Sequence, residues 1–106
     1  VMNIVNETFS KLQRRNNTLT AYDFSTEWLK KSKGYYAYLQ STGAEPSYDA
    51  VLGLYGTALK QQKHWNNYIE RNKSKHDISH LEGVADFYRQ LTEQIETKIK
   101  KTAISM

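Results

Sequence analysis

Apolar residues recur every three or four positions along most of this chain, the spacing of one buried helical face. Ile4, Val5, Phe9 and Leu12 carry the rhythm over residues 3–15, ahead of a polar loop at Asn16-Asn17-Thr18. Phe24 and Trp28 resume it over 20–30, and Tyr36 and Leu39 over 32–42. Val51, Leu52, Tyr55, Ala58 and Leu59 form a stripe over 47–71, prolonged by Trp65, Tyr68 and Ile69. Leu81, Val84, Tyr88, Leu91, Ile95 and Ile99 fill a last segment, 79–103. The pattern predicts an all-α fold of five helices with no sheet.

Punctuation between the stripes agrees. Thr20, with Asp23 three residues on, suits an N-cap, and Ser32 suits the next. Gly43 fits the left-handed residue that closes a helix, and Pro46-Ser47 fits an opening. Ser79-His80-Leu81-Glu82 has the form of a capping box. Gly53 and Gly56 interrupt the fourth stripe, which predicts close packing against a neighbouring helix.

Residues 20–59 therefore read as helix, sharp turn, helix and bracing helix, the plan of a helix-turn-helix DNA reader. The stretch resembles the phage-repressor-type (Cro-like) helix-turn-helix proteins. Phe24-Ser25-Thr26-Glu27-Trp28 matches their first helix, Ser32 to Leu39 the recognition helix, and Pro46-Ser47 to Leu59 the bracing helix. It looks closest to a group of small, uncharacterised bacterial proteins with the pattern F-S-x-x-W-L…S-x-x-Y-Y-x-x-L. The resemblance implies a helix-turn-helix bundle that binds double-stranded DNA as a small bacterial or phage-derived transcriptional regulator. One departure is the absence of a turn glycine: Leu29-Lys30-Lys31 makes the turn longer, which bears on docking angle more than on fold.

Composition sharpens this picture in three places. At 106 residues the chain is expected to form a single domain, with the helix-turn-helix core over about 20–59 and a long C-terminal amphipathic helix over about 79–103. The net charge of +4 is unevenly placed. Lys11, Arg14, Arg15, Lys30, Lys31 and Lys33 stand against Asp23 and Glu27, and Lys60, Lys63, Arg71, Lys73 and Lys75 against Glu70. Two basic segments on a balanced chain fit a polyanion partner. The absence of cysteine fits the cytoplasm, and the polar start gives neither a secretory signal nor a membrane span.

In a recognition helix opening at Ser32, the residues placed to reach base edges are Lys33, Gly34, Tyr35 and Tyr38. Lysine donates to guanine or to phosphate; tyrosine offers a hydroxyl and a flat ring, though either tyrosine can equally pack on a neighbour. Phosphate contacts are expected from Thr20, Lys30, Lys31 and Ser32, at helix N-termini and in the turn between them. Leu81, Val84, Tyr88, Leu91 and Ile95 approach a heptad seam and are a candidate homodimer interface, although packing within the domain explains the stripe as well.

Other chemistry finds little support. There is no Gly-rich phosphate loop, nucleophile elbow or HExxH, so neither an enzyme nor a cofactor is expected. His76 and His80 are spaced as ligands, but a helix opening at Ser79 between them breaks a one-face metal site. The alternative to DNA binding is a helical protein-interaction adaptor that uses the tyrosines and Trp65.

Overall fold

The computed structural model describes residues 4–72, 74 and 79–105, which form helices joined by turns, with no strand among them. α1 (Ile4–Arg15) turns Ile4, Val5, Thr8 and Leu12 inward. α2 (Ala21–Asp23) starts at Thr20, whose hydroxyl accepts the Asp23 N–H at 3.1 Å. It runs on into a π-helical turn, Phe24–Trp28. α3 (Tyr35–Thr42) closes at Gly43, left-handed at φ +70°, whose N–H donates to the Leu39 carbonyl. α4 (Tyr48–Asn72) opens under Ser47, whose Oγ accepts the Ala50 N–H at 3.2 Å. α5 (Ser79–Ser105) opens where the capping pattern predicts. The polar run Asn72-Lys73-Ser74-Lys75-His76-Asp77, which reads as a connection, falls largely outside the described residues.

One cluster of buried side chains joins all five helices, from Ile4 and Val5 through Phe24, Tyr36 and Leu54 to Leu91 and Ile95. Phe9, Phe24 and Tyr36 meet as an aromatic trio, with ring centroids 4.6 to 5.0 Å apart. The edge-on and tilted geometries suit the ring quadrupoles. The Tyr36 hydroxyl donates to Asn6 Oδ1 at 2.9 Å, so its one polar end is satisfied.

The structure corrects four expectations. α3 begins at Tyr35 with Gly34 at its N-cap, so Ser32 does not cap it. The cause lies upstream. The Leu29 N–H reaches back five residues to the Phe24 carbonyl, and the Lys31 N–H reaches the Ser25 carbonyl. This wider coil turns Phe24, Ser25, Trp28 and Leu29 all inward and delays the next helix. Second, the apolar spacing on either side of the turn sets Trp28 to face Tyr36, but Trp28 stacks on Tyr88 of α5 at 6.5 Å. Third, Leu52 is exposed, and Ala50, Leu54 and Ala58 form the buried line of α4. Gly53 and Thr57 abut the π-turn, which rotates α4 and leaves Leu52 outside.

Fourth, the apolar stripe of α5 packs within the chain. α4 and α5 pair along their lengths, α1 adds to the seam, and Val84, Leu91 and Ile95 are buried there. They belong to this chain's core and are not a free dimer surface; Leu81 and Tyr88 are half-buried. Beyond Ala58 no described α4 side chain is fully buried, and the molecule is elongated, 49 × 33 × 19 Å.

Candidate nucleic-acid interface

Ser25 decides how α3 is held. It is fully buried; its hydroxyl donates to the Ala21 carbonyl at 2.8 Å and accepts the Tyr36 N–H at 2.9 Å. A donor in the first turn of α3, which has no partner inside its own helix, is thus satisfied by the preceding helix. The side-chain cap on α3 comes from eleven residues back. Phe24 lies against Tyr36 beside this bond, their rings 5.0 Å apart. Together the polar bond and the aromatic contact fix the angle between the two helices.

The segment between them, residues 29–34, carries the turn cations. Leu29 is fully buried and anchors one end. Lys30 is left-handed at φ +58°, the conformation for which glycine is the usual residue. Lys30, Ser32, Lys33 and Gly34 are exposed, and the Ser32 carbonyl accepts the Tyr35 N–H. Lys31 is half-buried, with its ammonium 5.7 Å from the centre of the Tyr35 ring. Thr20 is exposed, but its hydroxyl is occupied by its cap.

Of the two tyrosines expected at base edges, only Tyr38 stands clear, 55% exposed on the outer face of α3. Tyr35 is half-buried, and its hydroxyl accepts the Ser47 N–H at 2.9 Å. It ties α3 to the start of α4 and is a positioning residue. Sequence reasoning passed over Gln40, which is exposed beside buried Leu39 on α3. Two positions on from Tyr38, it stands about 160° round the helix, so the two side chains do not share a face.

The first basic segment divides. Arg15 sits over the Phe87 ring, 4.7 Å from its centre, and Lys11 bonds Gln94, so these two cations serve α5 and not the turn. A groove of about 490 Å³ between α1 and α5, lined by Glu7, Glu93, Lys98 and Lys101 among others, contains none of the candidate residues. Burial pushes the Tyr36 and Tyr88 hydroxyls above tyrosine's usual range; Arg15 partly offsets this at Tyr88.

Residues 5–105 match DUF6626, described as a family of unknown function. The chain belongs to the DUF6626 family. No curated protein and no solved structure matches it. In this DUF6626 chain, no three metal-binding side chains converge among the described residues, and His76 and Asp77 lie outside them. None of its described helices is long and apolar enough to cross a membrane.

Proposed function

We propose that this chain binds double-stranded DNA through α3 and the turn before it, as a small transcriptional regulator acting in the cytoplasm. The observation that carries this reading is the Ser25 clamp. It holds a short, uncharged helix rigidly against its predecessor, with Tyr38 outward and Lys30, Lys31 and Lys33 grouped at its entry. Rigid presentation matters because base discrimination depends on side chains held in register by backbone contacts. The lysines would neutralise phosphates, and Tyr38 would meet base edges in the major groove. A second copy, reading a second half-site, would meet the first elsewhere than on the 81–99 stripe.

The adaptor reading draws on Tyr48 and Leu52, one turn apart on α4 and 51% and 42% exposed, with Tyr22 exposed on α2. Salt separates the two. Lysine–phosphate contacts weaken steeply as salt rises, and an aromatic protein interface does not.

The test is a titration of alanine variants against preferred and random duplexes at two salt concentrations. Lys30→Ala, Lys31→Ala or Lys33→Ala should weaken binding to all duplexes and lower the salt slope by about 0.9 each. Tyr38→Ala should cost about 1–3 kcal/mol on the preferred site and little on random DNA. Unchanged affinity for every duplex across this set would rule out the surface and leave the adaptor reading.

A further inference from the structure

We propose that the outer face of α4 beyond Thr57 is a second phosphate-contacting track, continuous with the turn cations and lying along the duplex outside the stretch read by α3. This rests on the DNA-binding reading and extends it to a second surface.

The continuity comes from the packing of α4 on the π-turn. A Cβ at Gly53 would stand 2.7 Å from the Leu29 carbonyl oxygen and 3.3 Å from Cγ of Lys30. One turn on, Thr57 Oγ1 lies 3.3 Å from the carbonyls of both Glu27 and Trp28. That edge of α4 is therefore the edge that meets the turn. Continuing it at steps of three and four residues gives Lys60, His64, Asn67 and Arg71, with Lys63 alongside. All five are exposed. Glu70 falls about 100° round the helix from Arg71 but two turns on from Lys63 on the same face, so it subtracts from the field on that side. Exposed Glu27, at the junction, is the acid nearest in sequence to the turn and subtracts from the field.

A solvated helix face usually neutralises its own cations, and α5 does so. Arg89 pairs with Asp86 and Glu93, at 2.5 and 3.0 Å, and Lys100 pairs with Glu96 at 3.0 Å. On α4, Lys60, Lys63 and Arg71 have no carboxylate partner among the described residues. Like charges on one edge that no described carboxylate neutralises gather counterions, and their release on meeting a polyanion favours binding. From Gly53 to Arg71 the edge runs roughly 27 Å at 1.5 Å per residue. That matches about eight steps of duplex at 3.4 Å each. A straight helix of that reach follows a duplex and has no need to wrap one.

The experiment compares the full chain with the triple variant Lys60→Gln/Lys63→Gln/Arg71→Gln and the double variant Lys30→Gln/Lys31→Gln. Binding is followed by fluorescence anisotropy on duplexes of about one and about two helical turns, 10 and 20 base pairs. Because the substituted side chains on α4 are exposed, circular dichroism and melting should match wild type. The triple variant is expected to bind the long duplex about tenfold more weakly at low salt, with a salt slope shallower by about 2–3. On the short duplex it should bind as wild type does. Equal binding of triple variant and wild type on the long duplex overturns the track. If the double variant alone is impaired, the α3 reading stands and the track falls. If neither variant changes binding, both fall. An equal loss on both duplexes also overturns the track, because the contact would then lie within the stretch read by α3.

Discussion

Gly53 and Gly56 stand one turn apart in α4, and their environments call for opposite responses to the same substitution. At Gly53 an added Cβ would lie 2.7 Å from the Leu29 carbonyl oxygen and 3.1 Å from its carbon. Both are backbone atoms of a π-turn held by the Leu29 N–H to Phe24 bond, so the methyl group cannot be absorbed by a side-chain rotation. α4 or the turn must move. Overpacking of this kind costs about 1–3 kcal/mol. Alanine's helix propensity and the narrower unfolded ensemble return about 0.5–1 kcal/mol. The expected net loss for Gly53→Ala is then up to about 2.5 kcal/mol. At Gly56 nothing lies within 4 Å of the added atom. Gly56→Ala therefore keeps the full gain of about 0.5–1 kcal/mol. With roughly 4–8 °C per kcal/mol in a domain near this size, the two variants should melt on opposite sides of wild type. Thermal unfolding followed by far-UV circular dichroism measures the difference directly. If Gly53→Ala gains as much as Gly56→Ala, α4 does not approach the turn this closely, and the rotation that exposes Leu52 loses its explanation.

Three further outcomes follow from the same packing. Ser25→Ala leaves the Tyr36 N–H without its acceptor and should cost about 1–3 kcal/mol, read from the urea midpoint at unchanged m-value. Trp28→Ala removes a nearly buried ring stacked on Tyr88 and should cost about 3–5 kcal/mol; melting within a degree or two of wild type would place the ring at the surface. The third concerns pH: burial raises the Tyr36 and Tyr88 hydroxyls, so the folded chain holds these protons more tightly than the unfolded one. Their contribution is complete below tyrosine's ordinary pKa of about 10 and is lost as pH climbs through the folded values. Urea midpoints should fall above that pH, and the fall should shrink in Tyr88→Phe.

What the sequence disclosed was local. Thr20, Gly43 and Ser47 end or begin helices because each acts on backbone groups within four residues of itself. The π-turn escaped because Phe24 and Trp28 share a face whether the coil is α or π; the difference lies in Leu29, which reads only as a helix end. Ser32 was the nearest hydroxyl before α3, yet the Tyr36 N–H goes to Ser25, a bond set by how two helices cross. The fourth stripe had apolar residues enough for two faces, and the choice of Leu54 over Leu52 came from Gly53 meeting another segment. The α5 stripe could not say whether its complement was a second chain or α4. Among site residues, exposure of Tyr38 followed from helical period, and that of Lys30 and Lys33 from charge in a turn. The loss of Tyr35 to Ser47 did not, because the bond spans the loop between α3 and α4.

Lys30 is where stability and the proposed binding should separate. It is an exposed lysine in a left-handed conformation, with φ of +58°. That conformation costs a residue bearing a Cβ about 1–2 kcal/mol, and glycine escapes it. Lys30→Gly recovers that strain and gives back about 0.4–1 kcal/mol through the freer unfolded chain. A net gain of up to about 1.6 kcal/mol is expected, several degrees in melting temperature. The same change removes a cation at the junction of the turn and α4, so affinity should fall on every duplex and the salt slope should drop by about 0.9. A protein that melts later and binds DNA more weakly is the signature of strain retained for charge. Later melting with unchanged binding would remove Lys30 from the interface. Earlier melting would mean that the Lys30 side chain, packed along α4 beside Gly53, contributes more than the backbone strain costs.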